Sequence, residues 1–286
     1  MNTKFDVIMN APLSEEIKAL VKKWDNLSEN LRTCNRDVPV LLPDLFWIVQ
    51  SGAGKTTFLH DLTNYLKDTG NLMDFYGNVD MFEFLLGYCP EHLPFTELQR
   101  LMDTVKSAAG FRNEFRGVIS IDIDEWVEHY TERHFISFME YLAANSEHWL
   151  ILLSVSPKKG TVLQELQAFL SMYLRLETVH LDIPADDHLV HCTETYLNNC
   201  GFELDDGARS LLRNTFAALR KNRYFDGYKT AHLLAKDIVY HLYTNETTPA
   251  QMLSAQTLAD FAESSRYVKS MVCAASDSRN TIGFLD

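Results

Sequence analysis

The run Val49-Gln50-Ser51-Gly52-Ala53-Gly54-Lys55-Thr56-Thr57 places two glycines, a lysine and three hydroxyl side chains within nine residues. Those residue types in that order suit the binding of phosphate oxygens. Gly52 and Gly54 let the backbone curl until the N–H groups of Ser51 to Gly54 converge on one oxyanion, which a Cβ would obstruct. A helix beginning behind the loop adds the positive end of its dipole. Lys55 would contact the β- and γ-phosphates of a nucleotide and Thr56 would ligate Mg²⁺, with Thr57 continuing the cradle. The run fits the pattern Gly-x-x-x-x-Gly-Lys-Ser/Thr except at its first place. Val49 stands there, and its branched side chain restricts the entry to the loop.

A second chemical motif is Gly117-Val118-Ile119-Ser120-Ile121-Asp122-Ile123-Asp124-Glu125-Trp126, an apolar strand that ends in acidic residues. An aspartate there can hold Mg²⁺, and a neighbouring glutamate can polarise an attacking water. Two aspartates compete for the metal. Asp122 and Asp124 are two apart and share one face of an extended strand. The reading takes Asp124, because Glu125 then sits directly beside it, and leaves Asp122 as a supporting carboxylate.

The surrounding elements have the periods needed to position both motifs. Residues 45–49 form a continuous apolar run of the kind found in a buried parallel strand. The glycine turn follows, and then a helix over 57–68 with Leu59, Leu62, Tyr65 and Leu66 on one face. Strand runs at 72–75, 79–82, 118–123, 149–155 and 179–183 alternate with helical runs at 95–109, 134–145 and 161–174. Strands alternating with helices predict a parallel sheet covered on both faces. After Pro184 the patterns at 187–199, 206–221 and 227–243 are helical without a convincing strand. Ahead of the sheet, Ile17, Leu20, Val21, Trp24, Leu27 and Leu31 give residues 14–31 an amphipathic helical face.

The chain of 286 residues carries a net charge of -13 and a pI near 5.2. An acidic surface repels phosphate backbones, so nucleic acid is not an expected partner. No apolar run approaches the ~20 residues that span a bilayer, no basic flank and apolar run open the chain, and five scattered cysteines form no CxxC pair. These features predict a cytoplasmic protein with reduced thiols and no membrane contact. His188, His191 and Cys192 cluster on one helical run but lack the companions of a known metal site.

Taken together, the two motifs resemble the AAA+ ATPases, and in layout the small members of the CbbX and SpoVK group, over roughly residues 36–245. No Asn-Lys-x-Asp base-reading motif or Leu-Ser-Gly-Gly signature suggests another class. The resemblance implies an α/β P-loop NTPase fold with a C-terminal helical lid. It divides the chain into an N-terminal helical extension (1–36), a nucleotide-binding domain (37–184), a helical lid (185–246), and a C-terminal helix and tail (247–286). It further implies ATP and Mg²⁺ as cofactors, a homo-oligomer, and a protein partner that is remodelled or regulated. Ser154 or Ser156 would be the polar sensor beyond the acidic motif. Arg175 would be the finger reaching a neighbour's ATP, and Lys229 the lid residue facing phosphate. Tyr88, in Phe84-Leu85-Leu86-Gly87-Tyr88-Cys89-Pro90, occupies the place of an aromatic substrate-gripping loop. Val49 and Lys229 also leave room for a nucleotide-sensing switch with weak hydrolysis. A small-molecule P-loop kinase is the third alternative.

Overall fold

The computed structural model describes residues 15–33, 42–68, 81–89, 96–108, 117–146, 149–158, 160–222, 224–245, 250–266 and 268–269. The chain divides into two compact units, Met1–Gln50 with Lys55–Asp182, and Ser51–Gly54 with Ile183–Asp286.

The first unit is built on a parallel sheet of β1 (Asp44–Val49), β2 (Met81–Leu85), β3 (Gly117–Asp122), β4 (Trp149–Val155) and β5 (Leu176–Leu181), in the spatial order β2-β3-β4-β1-β5. All of its pairings are parallel, and β1 lies between β4 and β5. The helices of this unit are α1 (Glu15–Thr33), α2 (Lys55–Asp68), α3 (Thr96–Ala108), α4 (Arg133–Ala143) and α5 (Gly160–Leu170). Side chains alternate across each strand. Phe46, Ile48, Ile119, Ile121, Ile151 and Leu153 therefore share one core with Phe135, Phe138, Met139 and Leu142 of α4 and with Leu163, Leu166 and Leu170 of α5. Trp47 points the other way and packs on Phe58 of α2, with ring centroids 5.1 Å apart.

The amphipathic face of α1 is used inside this unit. Leu20, Val21 and Trp24 are buried, Lys23 Nζ meets Glu177 of β5 at 2.5 Å, and Tyr65 Oη of α2 donates to Asp25 at 3.4 Å. Burying such side chains stabilises by about 2 kcal/mol each. The apolar face of this N-terminal helix is thus part of the first unit's core.

The second unit is helical: α6 (Asp186–Asn199), α7 (Asp206–Leu219), α8 (Gly227–Asn245) and α9 (Ala255–Ser264). Its core gathers Leu189, Leu197, Phe202, Leu212, Phe216, Leu234, Ile238, Leu253 and Phe261. Asp205 caps α7 by accepting from Ala208 N–H at 2.6 Å, and Ser254 caps α9 by accepting from Thr257 N–H. These caps satisfy amide donors that a helix start leaves unpaired. A two-residue parallel pairing of β6 (Glu203–Leu204) with β7 (Met252–Leu253), absent from the sequence reading, joins two loops.

Several boundaries differ from the sequence expectation. β2 takes in Phe84 and Leu85, which the resemblance places in a loop, and the expected strand at 72–75 lies outside the described residues. β5 begins at Leu176 rather than at 179, because β1 supplies hydrogen-bonding partners from Asp44 onward, a pairing that hydrophobic periodicity does not report. The polar tail beyond residue 269 also lies outside the described residues.

Candidate active site

Three strands present polar residues on a single face of the sheet, toward their C-terminal ends. Ile119, Ile121 and the following Ile123 turn into the α4–α5 core, so Ser120 and Asp122 face the opposite way. Register pairs Ser120 with Glu83 of β2, and Asp122 with Ser154 of β4. Glu83, Asp122 and Ser154 therefore line the same face.

The first turn of α2 lays its functional side chains across them. Lys55 Nζ donates to Ser154 Oγ at 3.4 Å and lies 3.9 Å from both Glu83 Oε1 and Asp122 Oδ2. Thr56 Oγ1 donates to Glu83 Oε2 at 2.9 Å, and Ser154 Oγ donates in turn to the Ile121 carbonyl at 3.4 Å. A lysine, two hydroxyls and two carboxylates thus converge at the ends of adjacent parallel strands, the end at which open α/β sheets bind ligands. Ser120, 1% exposed on this face, has no hydrogen-bond partner for its hydroxyl among the described residues.

Asp124 and Glu125 are directed elsewhere. β3 ends at Asp122, and the chain turns into a short 3₁₀ helix, Asp124–Trp126. Beyond the strand, Asp124 donates its N–H to Asp122 Oδ1 at 3.1 Å. Its carboxylate accepts from Ser156 N–H at 2.8 Å and from Ser156 Oγ–H at 2.6 Å, and lies 3.6 Å from Lys158 Nζ. Burial pushes the Asp124 carboxyl up, but the Ser156 hydrogen bonds and the Lys158 ammonium outweigh it and hold the group below its ordinary range. Glu125 Oε2 accepts from the Tyr88 backbone N–H at 2.7 Å. The residue that follows Asp122 is Ile123, fully buried, with its N–H donated to Ser154 O at 3.0 Å. Of the two sensor candidates, Ser154 meets Lys55 and Ser156 meets Asp124.

Tyr88 is held by its surroundings. Its ring stacks on His129 at 3.9 Å and meets Trp126 edge-on at 5.0 Å, while its hydroxyl donates to Glu132 at 3.0 Å. Gripping an external chain would require breaking these contacts. Arg175 is exposed, just ahead of β5, and its carbonyl accepts from Asp44 N–H at 2.9 Å. That position is at the opening edge of the sheet, the end opposite Lys55 and Asp122.

The glycine turn packs within the second unit. Gly52 and Gly54 have φ of 78° and 86°, the left-handed region that glycine tolerates. Gly52 O accepts from Tyr228 N–H at 3.0 Å, and Ser51 Oγ donates to Asp226 Oδ1 at 2.7 Å. A Cβ on Gly52 would fall 2.2 Å from the Asp226 carbonyl carbon, and one on Gly54 would fall 2.9 Å from the Tyr228 ring. Ala53 is buried and Thr57 exposed. Lys229 is largely exposed, with Nζ 3.7 Å from Asp226 Oδ2 in the first turn of α8.

Glu83 is the site residue that motif reasoning missed. Its signal was a single charge inside the apolar strand Met81-Phe82-Glu83-Phe84-Leu85, in a segment whose strand boundary had been set too early. Among the described residues no group of three His, Cys, Asp or Glu is placed to hold a metal by itself, and the His188, His191 and Cys192 run supplies none. No described helix is long and apolar enough to cross a membrane.

No family profile matches the sequence, and no curated protein does so. Solved structures match its architecture. A variant of RuvB from Thermotoga maritima is similar with a TM-score of 0.52 and 14% identity, covering 88% of this chain and 70% of that one. PCH-2 of C. elegans is similar with a TM-score of 0.52 and 13% identity, covering 96% of this chain and 73% of that one. At such identities the likeness is one of fold. The chain has the fold of the AAA+ P-loop NTPases: a five-stranded parallel sheet between helices, and a helical C-terminal region.

Proposed function

We propose that this chain binds Mg·ATP and hydrolyses it as an oligomeric AAA+-type ATPase, in the layout of the small CbbX and SpoVK-like members, acting on a protein partner in the cytoplasm. The observation that carries the reading is the convergence of Lys55 and Thr56, which follow the glycine turn in sequence, with Asp122 on one sheet face. Ser51 to Gly54, with Lys55 and Thr57, would hold the phosphates. The hydroxyl of Thr56 and the carboxylate of Asp122 are hard oxygen donors of the kind Mg²⁺ takes. When bound, the ion would neutralise charge on the transferring phosphoryl group. This proposal assigns the metal to Asp122 in preference to Asp124, whose oxygens are engaged by Ser156 and Lys158. Arg175, exposed and far along β5 from the site, would act on a neighbouring subunit's nucleotide, and Lys229 would face phosphate from α8. The charge of -13 supports a protein partner over nucleic acid.

One observation favours the second reading, a nucleotide-sensing switch that hydrolyses poorly. Ile123 occupies the place beside Asp122, and Glu125 is engaged by the Tyr88 amide. ATP turnover measured against protein concentration separates the two. The ATPase reading expects specific activity to rise with concentration and to fall ~10³-fold in Arg175→Ala, the scale of an arginine-finger loss. Tight ATP binding with negligible turnover at every concentration would leave the switch.

The same assay distinguishes the aspartates. Asp122→Asn is expected to abolish Mg²⁺-dependent turnover, by about 100-fold or more. Asp124→Asn should retain most of the turnover and instead loosen the Ser156–Lys158 loop, read as a lower melting temperature. The reverse pattern would return the metal to Asp124.

A further inference from the structure

We propose that Glu83 of β2 is the general base that activates the attacking water, an assignment that rests on the ATPase reading above. Three observations lead to it. First, the strand that carries Asp122 supplies no glutamate of its own to this face. Ile123 is buried in the opposite core, and Glu125 lies beyond the 3₁₀ turn with its carboxylate on the Tyr88 amide. Second, the neighbouring strand does supply one. Glu83 pairs in register with Ser120, two residues before Asp122, so both carboxylates rise from the same side of the sheet. Third, the Glu83 carboxylate already meets both groups that mark the reactive end of a bound triphosphate. One oxygen accepts from Thr56 Oγ1 at 2.9 Å, and the other lies 3.9 Å from Lys55 Nζ.

The chemistry balances without a further reactant. Water oxygen forms a bond to the γ-phosphorus, and the bond from that phosphorus to the β–γ bridging oxygen breaks, its electron pair leaving with ADP. The proton released by water passes to the Glu83 carboxylate and from there to phosphate or solvent. If Thr56 turned its hydroxyl to a metal ion, the Glu83 oxygen it now bonds would also become free to accept from water. The isolated glutamate in Met81–Leu85 then has a chemical reason, since a charge inside an apolar strand otherwise weakens the strand.

The experiment compares the full-length parent with Glu83→Gln, Glu83→Asp and Glu125→Gln. It measures single-turnover hydrolysis of radiolabelled ATP, binding of a fluorescent mant-ATP analogue with and without Mg²⁺, and melting of the nucleotide-free protein. Glutamine keeps the size of Glu83 and can still accept from Thr56, so folding and Mg²⁺-dependent binding should stay within about threefold while hydrolysis falls about 100-fold or more. Glu83→Asp keeps the charge but withdraws it, and is expected to bind normally with a partial loss of rate. Glu125→Gln should lose less of the hydrolysis rate than Glu83→Gln. Undiminished hydrolysis in Glu83→Gln, an equal loss in Glu125→Gln, or loss of Mg²⁺-dependent binding in Glu83→Gln would each overturn the assignment while leaving the ATPase reading standing. A parent that binds ATP without turnover would overturn both.

Discussion

Replacing Gly52 with alanine is expected to lower stability by about 3 kcal/mol and to abolish tight nucleotide binding. Two separate costs add at this position. The backbone sits at φ 78°, where a Cβ costs roughly 1–2 kcal/mol. The new methyl would also sit 2.2 Å from the Asp226 carbonyl carbon, 2.4 Å from its oxygen and 2.6 Å from Gly227 N. All three are backbone atoms and cannot rotate aside. The contact is reciprocal, because Gly227 has φ 41° and a Cβ on it would meet Gly52 O at 2.3 Å. Relief requires the turn to withdraw from α8, breaking the hydrogen bond from Tyr228 N–H to Gly52 O. Gly201 provides the control. Its φ is 88°, yet nothing lies within 4 Å of a Cβ placed there, so Gly201→Ala bears the conformational cost alone, about 1 kcal/mol. Urea denaturation of the two variants beside the parent, with mant-ATP binding, makes the comparison. Equal midpoints for the two alanine variants would show that the close approach of 226–228 has no energetic weight.

Asp44→Asn is expected to make the protein more stable above neutral pH, by up to about 4 kcal/mol, and to flatten its stability profile. Asp44 opens β1 and is 6% exposed. Its Oδ1 accepts from Ile151 N–H at 2.9 Å. Burial raises its carboxyl from 3.8 to about 7, against the smaller lowering effect of the Ile151 hydrogen bond. The sign follows from that direction. A group that holds its proton more tightly when folded contributes stability below the unfolded value, near pH 4, and loses it as pH rises through about 7. Asparagine retains an acceptor for Ile151 and never ionises. Alanine leaves that amide unpaired and should destabilise at every pH, by about 1–3 kcal/mol. Urea midpoints from pH 5 to 9 test this. Parent and Asp44→Asn curves that stay parallel across the range would mean that folding leaves the Asp44 carboxyl unshifted.

The ease of reading differed sharply among the residues of the candidate site. Lys55 and Thr56 were singled out by their neighbours in the chain: a buried strand before them, two glycines, and a helix after. Asp122 and Asp124 were not separable by spacing. Both lie on one face only while the strand continues, and β3 stops at Asp122. The pull of a sequence-adjacent Asp-Glu pair favoured Asp124, whereas Ser156 and Lys158, more than thirty residues away, decide where its carboxylate points. Tyr88 illustrates the same limit, since its stacking on His129 and its bond to Glu132 bring together residues about forty apart. Glu83 was invisible to motif reasoning because it belongs to no local pattern. It becomes a site residue only through its register with Ser120.

What the sequence determined by itself was the local chemistry and the period of each element. It carried the glycine turn with its lysine and threonine, the alternation of strands and helices that makes a covered parallel sheet, and the change to helices after Pro184. Those are properties of residues a few positions apart, where backbone freedom and hydrophobic spacing act directly. Tertiary structure alone decided which carboxylates stand before Lys55 and Thr56. Strand order sets β2 beside β3 and β3 beside β4, and the two-residue period of each strand then turns Glu83, Asp122 and Ser154 to one side. A pairing register relates residues tens of positions apart and shifts an entire face with a single slip, so no short motif can encode it.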